Sequence, residues 1–335
     1  MHDEEALLRP GLQRLAGRLA AGGGSVEALR RLSGGASQQT WAFDLQCADG
    51  MRVPLVLRRA ADSQGERARG CAGLAAEAQL IRAAGAGGVP VPGVRHVLAP
   101  EEGLGEGFVM DRVAGETLGR RIVRDASLAQ ARRVLARQCG QALARIHRMD
   151  AAGLPPLRSA GPRGELGFQV ELHRSHGTTR PVFELAFRWL REHAPADSAT
   201  PMLVHGDFRN GNLMVGEAGL RAVLDWELAH LGDPMEDLGW MCVRSWRFGA
   251  ALPVGGFGTR EQLFDGYEEG GGRVDAERVR WWQVLGTLKW GIVCEAMVHA
   301  WLMGRERDVE KAAIGRRASE AEFDLLGLLR GEEAA

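Results

Sequence analysis

Lysine is almost missing from this 335-residue chain. Lys289 and Lys311 are the only two, so nearly every basic side chain is an arginine. Any cation that a site in the N-terminal half requires must therefore be arginine. The chain also lacks a dominant charge of either sign. Its formal net charge of -1 gives no footing for nucleic acid or for an anionic membrane surface. The five cysteines, Cys47, Cys71, Cys139, Cys242 and Cys294, are scattered and never spaced C-x-x-C. That argues against a disulfide framework and against a zinc site, and the expectation is reduced thiols in the cytoplasm. A long uninterrupted apolar run is absent too. The most apolar stretch, 284–303, is broken by Lys289, Glu295 and His299 and reads as a buried helix rather than a membrane span. The N-terminal MHDEEALL is acidic and carries no signal-peptide pattern. What remains is ordinary for a globular protein, with 45% hydrophobic and 25% charged residues. That is enough for one large domain or two lobes.

Periodicity divides the chain into two regimes. Residues 3–20 carry Leu8, Leu12, Leu15 and Leu19 on one helical face. A β-meander is expected next, with strands at 28–33, 40–47 and 53–59 and a hairpin turn at Asp49-Gly50. In the third strand Val56 and Arg58 share one face, and Leu55 and Leu57 the other. The glycine-rich link 34–39 offers backbone N–H groups that suit phosphates, but such short strings are common. A helix over 71–84 places Glu77 on its apolar face, where a carboxylate must reach solvent or a cation. Arg58 is an available partner. After a strand at 107–111 the pattern becomes helical, with helices expected at 126–149, 168–176, 182–193, 275–303 and 312–329. The lobe boundary falls near 111–116.

The chemistry concentrates in residues 203–227, LVHGDFRNGNLMVGEAGLRAVLDWE. Two short apolar runs, 213–215 and 220–224, flank a glycine-bounded turn and read as a β-hairpin. Antiparallel pairing brings Asn212, entering the first strand, beside Asp225, leaving the second. Asp207 precedes them on a loop. Two carboxylates and an amide oxygen are hard ligands that suit Mg²⁺ and proton acceptance. At this point a kinase and a metal-dependent hydrolase both remain open.

The string HGDFRNGN has the H-x-D-x-x-x-x-N form of a kinase catalytic loop, and LDWE stands where kinases carry a metal-binding aspartate. With LVLRR and AVLDWELAHLGDPMEDLGW, the chain resembles the aminoglycoside phosphotransferase/choline kinase family, most closely the subgroup similar to kinase domains fused to acyl-CoA dehydrogenases. The resemblance runs from the first glycine-rich loop to the C-terminal helices. It implies an α+β, protein-kinase-like bilobal fold. A small N-terminal antiparallel β-sheet lobe with one main helix would span 1–111 and bind nucleotide. A larger, mostly helical lobe would span 112–335 and carry catalysis and the acceptor site.

The resemblance also implies roles. Asp207 corresponds to the catalytic aspartate. Arg209 stands where a cation often reaches the transferred phosphate. Asn212 and Asp225 correspond to Mg²⁺ ligands. Arg58 takes the place of the third-strand lysine that holds the ATP phosphates, and Glu77 that of its helix partner. Gly35 and Ser37 belong to the phosphate-covering loop. Val56 would form part of the adenine ceiling, and Met110, Asp111 and Val113 the hinge. His205 would brace the loop, and Glu227 would add a carboxylate near the metal. The arginine is the departure, since a planar, permanently charged fork replaces an ammonium. The implied cofactors are ATP and Mg²⁺. The implied partner is a small-molecule hydroxyl acceptor: hydroxyacyl-CoA-like, amino sugar or aminoglycoside, or choline-like. Two rivals stay open: a nucleotide-binding pseudokinase scaffold, and a metal-dependent phosphohydrolase using His205, Asp207, Asp225 and Asp233. Trp281, Trp282, Trp290 and Trp301 are expected in the core or walling an acceptor pocket. Arg244 and Arg247 are expected to bind an anion or to pair with Glu236 or Asp237.

Overall fold

The computed structural model describes residues 2–20, 23–32, 38–60, 71–198, 200–305 and 308–332. Gly35 and Ser37, expected to cover phosphates, lie outside the described residues. The chain divides into two compact units. The first comprises Met1–Ala114 with Ala152–Leu157 and Ala222–Ala229. The second comprises Gly115–Ala151, Arg158–Arg221 and His230–Ala335.

In the first unit α1 (His2–Leu19) is followed by β1 (Gly24–Arg31), β2 (Gln38–Cys47) and β3 (Arg52–Ala60), then α2 (Leu74–Ala86), β4 (Val94–Val97) and β5 (Gly107–Asp111). The strands form one antiparallel sheet in the order β1-β2-β3-β5-β4. β1 begins four residues earlier than its sequence implies. A register shift between Glu27 and Arg30, with Ala28 at φ 49°, interrupts the alternation that would have marked its start. Alternation on β3 sorts its side chains by face. Leu55 and Leu57 join the core that Leu8, Leu12 and Leu15 of α1 close over Trp41, Phe43 and Val109. Val56 and Arg58 point the other way. α2 lies against β3, β4 and β5 and buries Leu74, Glu77, Ala78, Leu80, Ile81 and Ala84.

The second unit is mainly helical: α3 (Gly119–Arg124), α4 (Ala129–His147), α5 (Pro162–Ser175), α6 (Pro181–Glu192), then α7 (Met235–Met241), α8 (Arg260–Glu269), α9 (Ala276–Leu302), α10 (Val309–Gly315) and α11 (Ala318–Leu329). Between α6 and α7 lie β6 (Met202–Val204), β7 (Leu213–Gly216), β8 (Gly219–Val223) and β9 (His230–Gly232). β7 pairs with β8, and β6 with β9. Gly219, at φ 110°, makes the hairpin turn, and Gln138 of α4 grips it by accepting from the Leu220 amide at 2.8 Å. α4 and α8 approach so closely that a Cβ at Gly140 would collide with the Leu263 carbonyl, and one at Gly266 with the Arg137 carbonyl. α9 buries Trp281 and Trp282, whereas Trp301 near its end is 42% exposed rather than core. Among the described residues no helix is long and apolar enough to cross a membrane.

Candidate active site

Within the first unit, Arg58 is the hub. β3 carries it between Thr40 of β2 and Phe108 of β5. Its Nε lies 3.1 Å from Glu77 of α2. Its Nη2 bonds Asp225, and Glu227 stands 3.7 Å away. Arg59 turns its Nε to the Ala60 carbonyl. The segment after β8 is fastened to the same unit. The Val223 amide donates to Pro90, the Ala72 amide to the Glu227 carbonyl, and Gln38 to the Glu227 carboxylate. Asp225 sits at φ 66°, a left-handed conformation that aspartate tolerates better than most residues.

Three carboxylates thus face one guanidinium. Burial pushes the Glu77 carboxyl up to about 7, with Asp225 and Glu227 adding repulsion, against Arg58 and the Trp226 amide, which favour its charge. For Arg58, burial works against the charge. Glu77, Asp225 and Glu227 outweigh it and hold the guanidinium pKa above its ordinary value. The cluster has an excess of negative charge that a further cation would relieve.

Val56 is buried beside Arg58 and pairs across the sheet with Met110. Asp111 is tied on both sides: its amide donates to Gly93 and its carboxylate accepts from Arg95 at 2.7 Å. The Arg112 amide donates to Pro54. Of this expected hinge, the Val113 amide has no backbone acceptor among the described residues.

Within the second unit, Asp207 is the hub. Arg209 Nε donates to its Oδ1 at 3.0 Å, and Asn212 Nδ2 to its Oδ2 at 2.6 Å. Turning Nδ2 inward leaves Asn212 Oδ1 as the amide's acceptor. A third donor was not foreseen: Trp240 of α7 gives its indole N–H to Asp207 Oδ1 at 2.7 Å. The Arg209 guanidinium stacks 4.5 Å from the Trp246 ring centroid.

The loop itself hangs from Asp237. This fully buried carboxylate accepts from the His205 amide at 2.7 Å and the Gly206 amide at 2.9 Å, and it meets His147 Nε2 at 3.0 Å. His147 Nδ1 in turn meets the Tyr267 hydroxyl at 2.8 Å. Burial opposes the charge on Asp237. The His147 bond and the neighbouring histidines overcome it, so the carboxyl stays below its ordinary range. His205 contributes its ring as an acceptor for the Asp207 amide at 3.3 Å. Asp237 was missed because no periodicity separates a buried aspartate from one that caps a helix N-terminus. Arg244 and Arg247 have other partners than the expected Glu236 and Asp237. Arg244 lies 3.4 Å from Asp324, and Arg247 reaches the Cys242 carbonyl.

Of the residues named for a hydrolytic centre, Asp233 is engaged elsewhere. Asp233 accepts from Arg278 Nε at 2.9 Å and from the Trp282 indole at 2.8 Å. His230 is buried 3.2 Å from Glu236. Among the described residues no three His, Cys, Asp or Glu side chains gather as a metal group.

The sequence profile of the phosphotransferase enzyme family matches residues 28–282. The chain belongs to that family. Acyl-CoA dehydrogenase family member 10 of Mus musculus is 32% identical over 179 residues, a match covering 50% of this chain and 16% of that protein. The chain therefore spans well under two thirds of the length of this curated relative. Among solved structures, a Ralstonia eutropha JMP134 protein assigned to the aminoglycoside phosphotransferases aligns with a TM-score of 0.75 at 19% identity, covering 97% of this chain and 98% of that one. A thermostable variant of aminoglycoside phosphotransferase APH(4)-Ia, solved with AMP-PNP and hygromycin B, aligns with a TM-score of 0.58 at 18% identity, covering 93% and 96%. At these identities the likeness speaks for the fold, which is kinase-like.

Proposed function

We propose that the chain transfers the γ-phosphoryl group of ATP to a hydroxyl of a small molecule, with Mg²⁺. The observation that carries this reading is the Asp207 carboxylate, held by Arg209 and Asn212 on a loop of the form H-x-D-x-x-x-x-N. In this reading Asp207 orients the attacking hydroxyl and accepts its proton. Arg209 sets a positive charge beside the transferred group. Arg58 holds the α- and β-phosphates, anchored by Glu77. Val56 forms part of the adenine ceiling, and the Val113 amide is the hinge donor, with Met110 and Asp111 shaping the strand that leads to it. Gly35 and Ser37 cover the phosphates on the strength of the resemblance alone.

The donor chemistry fits Mg²⁺. Asn212 Oδ1 and the Asp225 carboxylate are hard oxygens, and the carboxylate excess around Arg58 favours an added cation. Two protein ligands suffice, since Mg²⁺ usually completes its shell with water and phosphate oxygens. Bound Mg²⁺ would neutralise phosphate charge as it develops. Glu227 would stand near by.

Acceptors of three kinds stay in view: hydroxyacyl-CoA-like compounds, amino sugars or aminoglycosides, and choline-like alcohols.

A screen of hydroxy acids, their CoA esters, amino sugars and amino alcohols for ADP release with ATP and Mg²⁺ tests the proposal. One class should raise turnover, and Asp207→Ala should lose it by about 10³-fold or more while nucleotide affinity is retained. Nucleotide binding with no acceptor in any class raising turnover would favour a scaffold. Phosphate release without nucleotide would favour a hydrolase.

A further inference from the structure

We infer that Trp240 is a positioning residue for phosphoryl transfer, fixing the Asp207 carboxylate through its indole N–H. The inference rests on the proposed role of Asp207 and adds to it.

A carboxylate on a loop can rotate about its last torsion unless both oxygens are held. Asn212 holds Oδ2 at 2.6 Å. Oδ1 receives Arg209 Nε at 3.0 Å and the Trp240 indole at 2.7 Å. The two Oδ1 donors differ in kind. Arg209 is a flexible side chain, a quarter exposed. Trp240 is a buried ring on a short helix, α7, three residues after the loop anchor Asp237.

The ring has no freedom to turn away. Trp246 packs against it edge to face at 5.1 Å between centroids, and the Lys289 ammonium lies 4.8 Å from its centroid. On a third side α9 comes so close that a Cβ at Gly286 would stand 2.9 Å from Trp240 Cε3. Trp246 also carries the stacked Arg209 guanidinium. One ring thus seats both groups that bond Oδ1. Geometry, rather than burial alone, selects the indole: a phenylalanine would fill most of the same space and leave Oδ1 with one donor.

Trp240→Phe isolates the N–H. Its kcat should fall on the order of tenfold, the rate equivalent of one hydrogen bond to a charged group, with little change in the KM for ATP. Trp281→Phe is the matched control. It removes a buried indole bond to the Leu190 carbonyl, and it should lower Tm comparably while leaving kcat unchanged. A wild-type kcat in Trp240→Phe, or an equal kcat loss in Trp281→Phe, would overturn the inference. Should Trp240→Phe not fold, ¹⁵N-tryptophan spectra of the wild type and Asp207→Asn decide. One indole N–H resonance should move upfield in Asp207→Asn, and no shift in any indole resonance would overturn it. Asp207→Ala with full turnover would instead remove the underlying reading of Asp207, which keeps the two failures distinct.

Discussion

Arg58 is a planar fork with Glu77 on its Nε and Asp225 on its Nη2. Replacing Arg58 by lysine keeps the charge and loses the fork, so partial activity with a raised KM for ATP is expected in steady-state assays. Unchanged kcat and KM would mean that Arg58 does not hold phosphates. The pairing of Arg58 with Glu77 was legible because strand alternation puts Arg58 on the face of Val56 and a glutamate on an apolar helix face has few places to go. The bond from Arg58 to Asp225 was not, since nothing in spacing says which oxygens a planar fork will reach. Asp225→Asn keeps a side chain that tolerates the left-handed backbone and removes only the charge. It should nearly abolish transfer and weaken the dependence on Mg²⁺ concentration; a wild-type titration would contradict the metal role.

Long periodic elements were the readable ones. The β7–β8 hairpin, α4 and α9 lie where their patterns put them. The three-residue strands β6 and β9 are too short for alternation to register. The same holds for the approach of α4 to α8, which depends on Gly140 and Gly266 meeting carbonyls from another part of the chain. That approach has a functional end: α4 carries His147 and α8 carries Tyr267, and their bond presents His147 to Asp237. Gly140→Ala should therefore cost about 1–3 kcal/mol through overpacking, read as a lower Tm. Asp237→Ala should cost more, about 3–5 kcal/mol, because it strands two loop amides and a buried histidine. The pH sign is fixed by the depressed Asp237 carboxyl. Its stabilising contribution is present above the unfolded aspartate pKa and lost as pH falls through the lower folded value. The acid limb of an unfolding curve should thus flatten in Asp237→Asn.

At the scale of the molecule, family and fold followed from ordered motifs spread over both units, and the profile match to 28–282 agrees. The acceptor did not follow, because one fold hosts many acceptors and no motif in the sequence chooses among them. The most direct measurement is transfer of ³²P from γ-labelled ATP to an isolated acceptor, with and without Mg²⁺, in wild type and Asp207→Ala. Labelled phosphoester should form only in the wild type and only with Mg²⁺, while both proteins bind nucleotide. Label appearing solely as inorganic phosphate across the acceptor classes, or an equal yield of phosphoester from Asp207→Ala, would contradict a small-molecule kinase centred on Asp207.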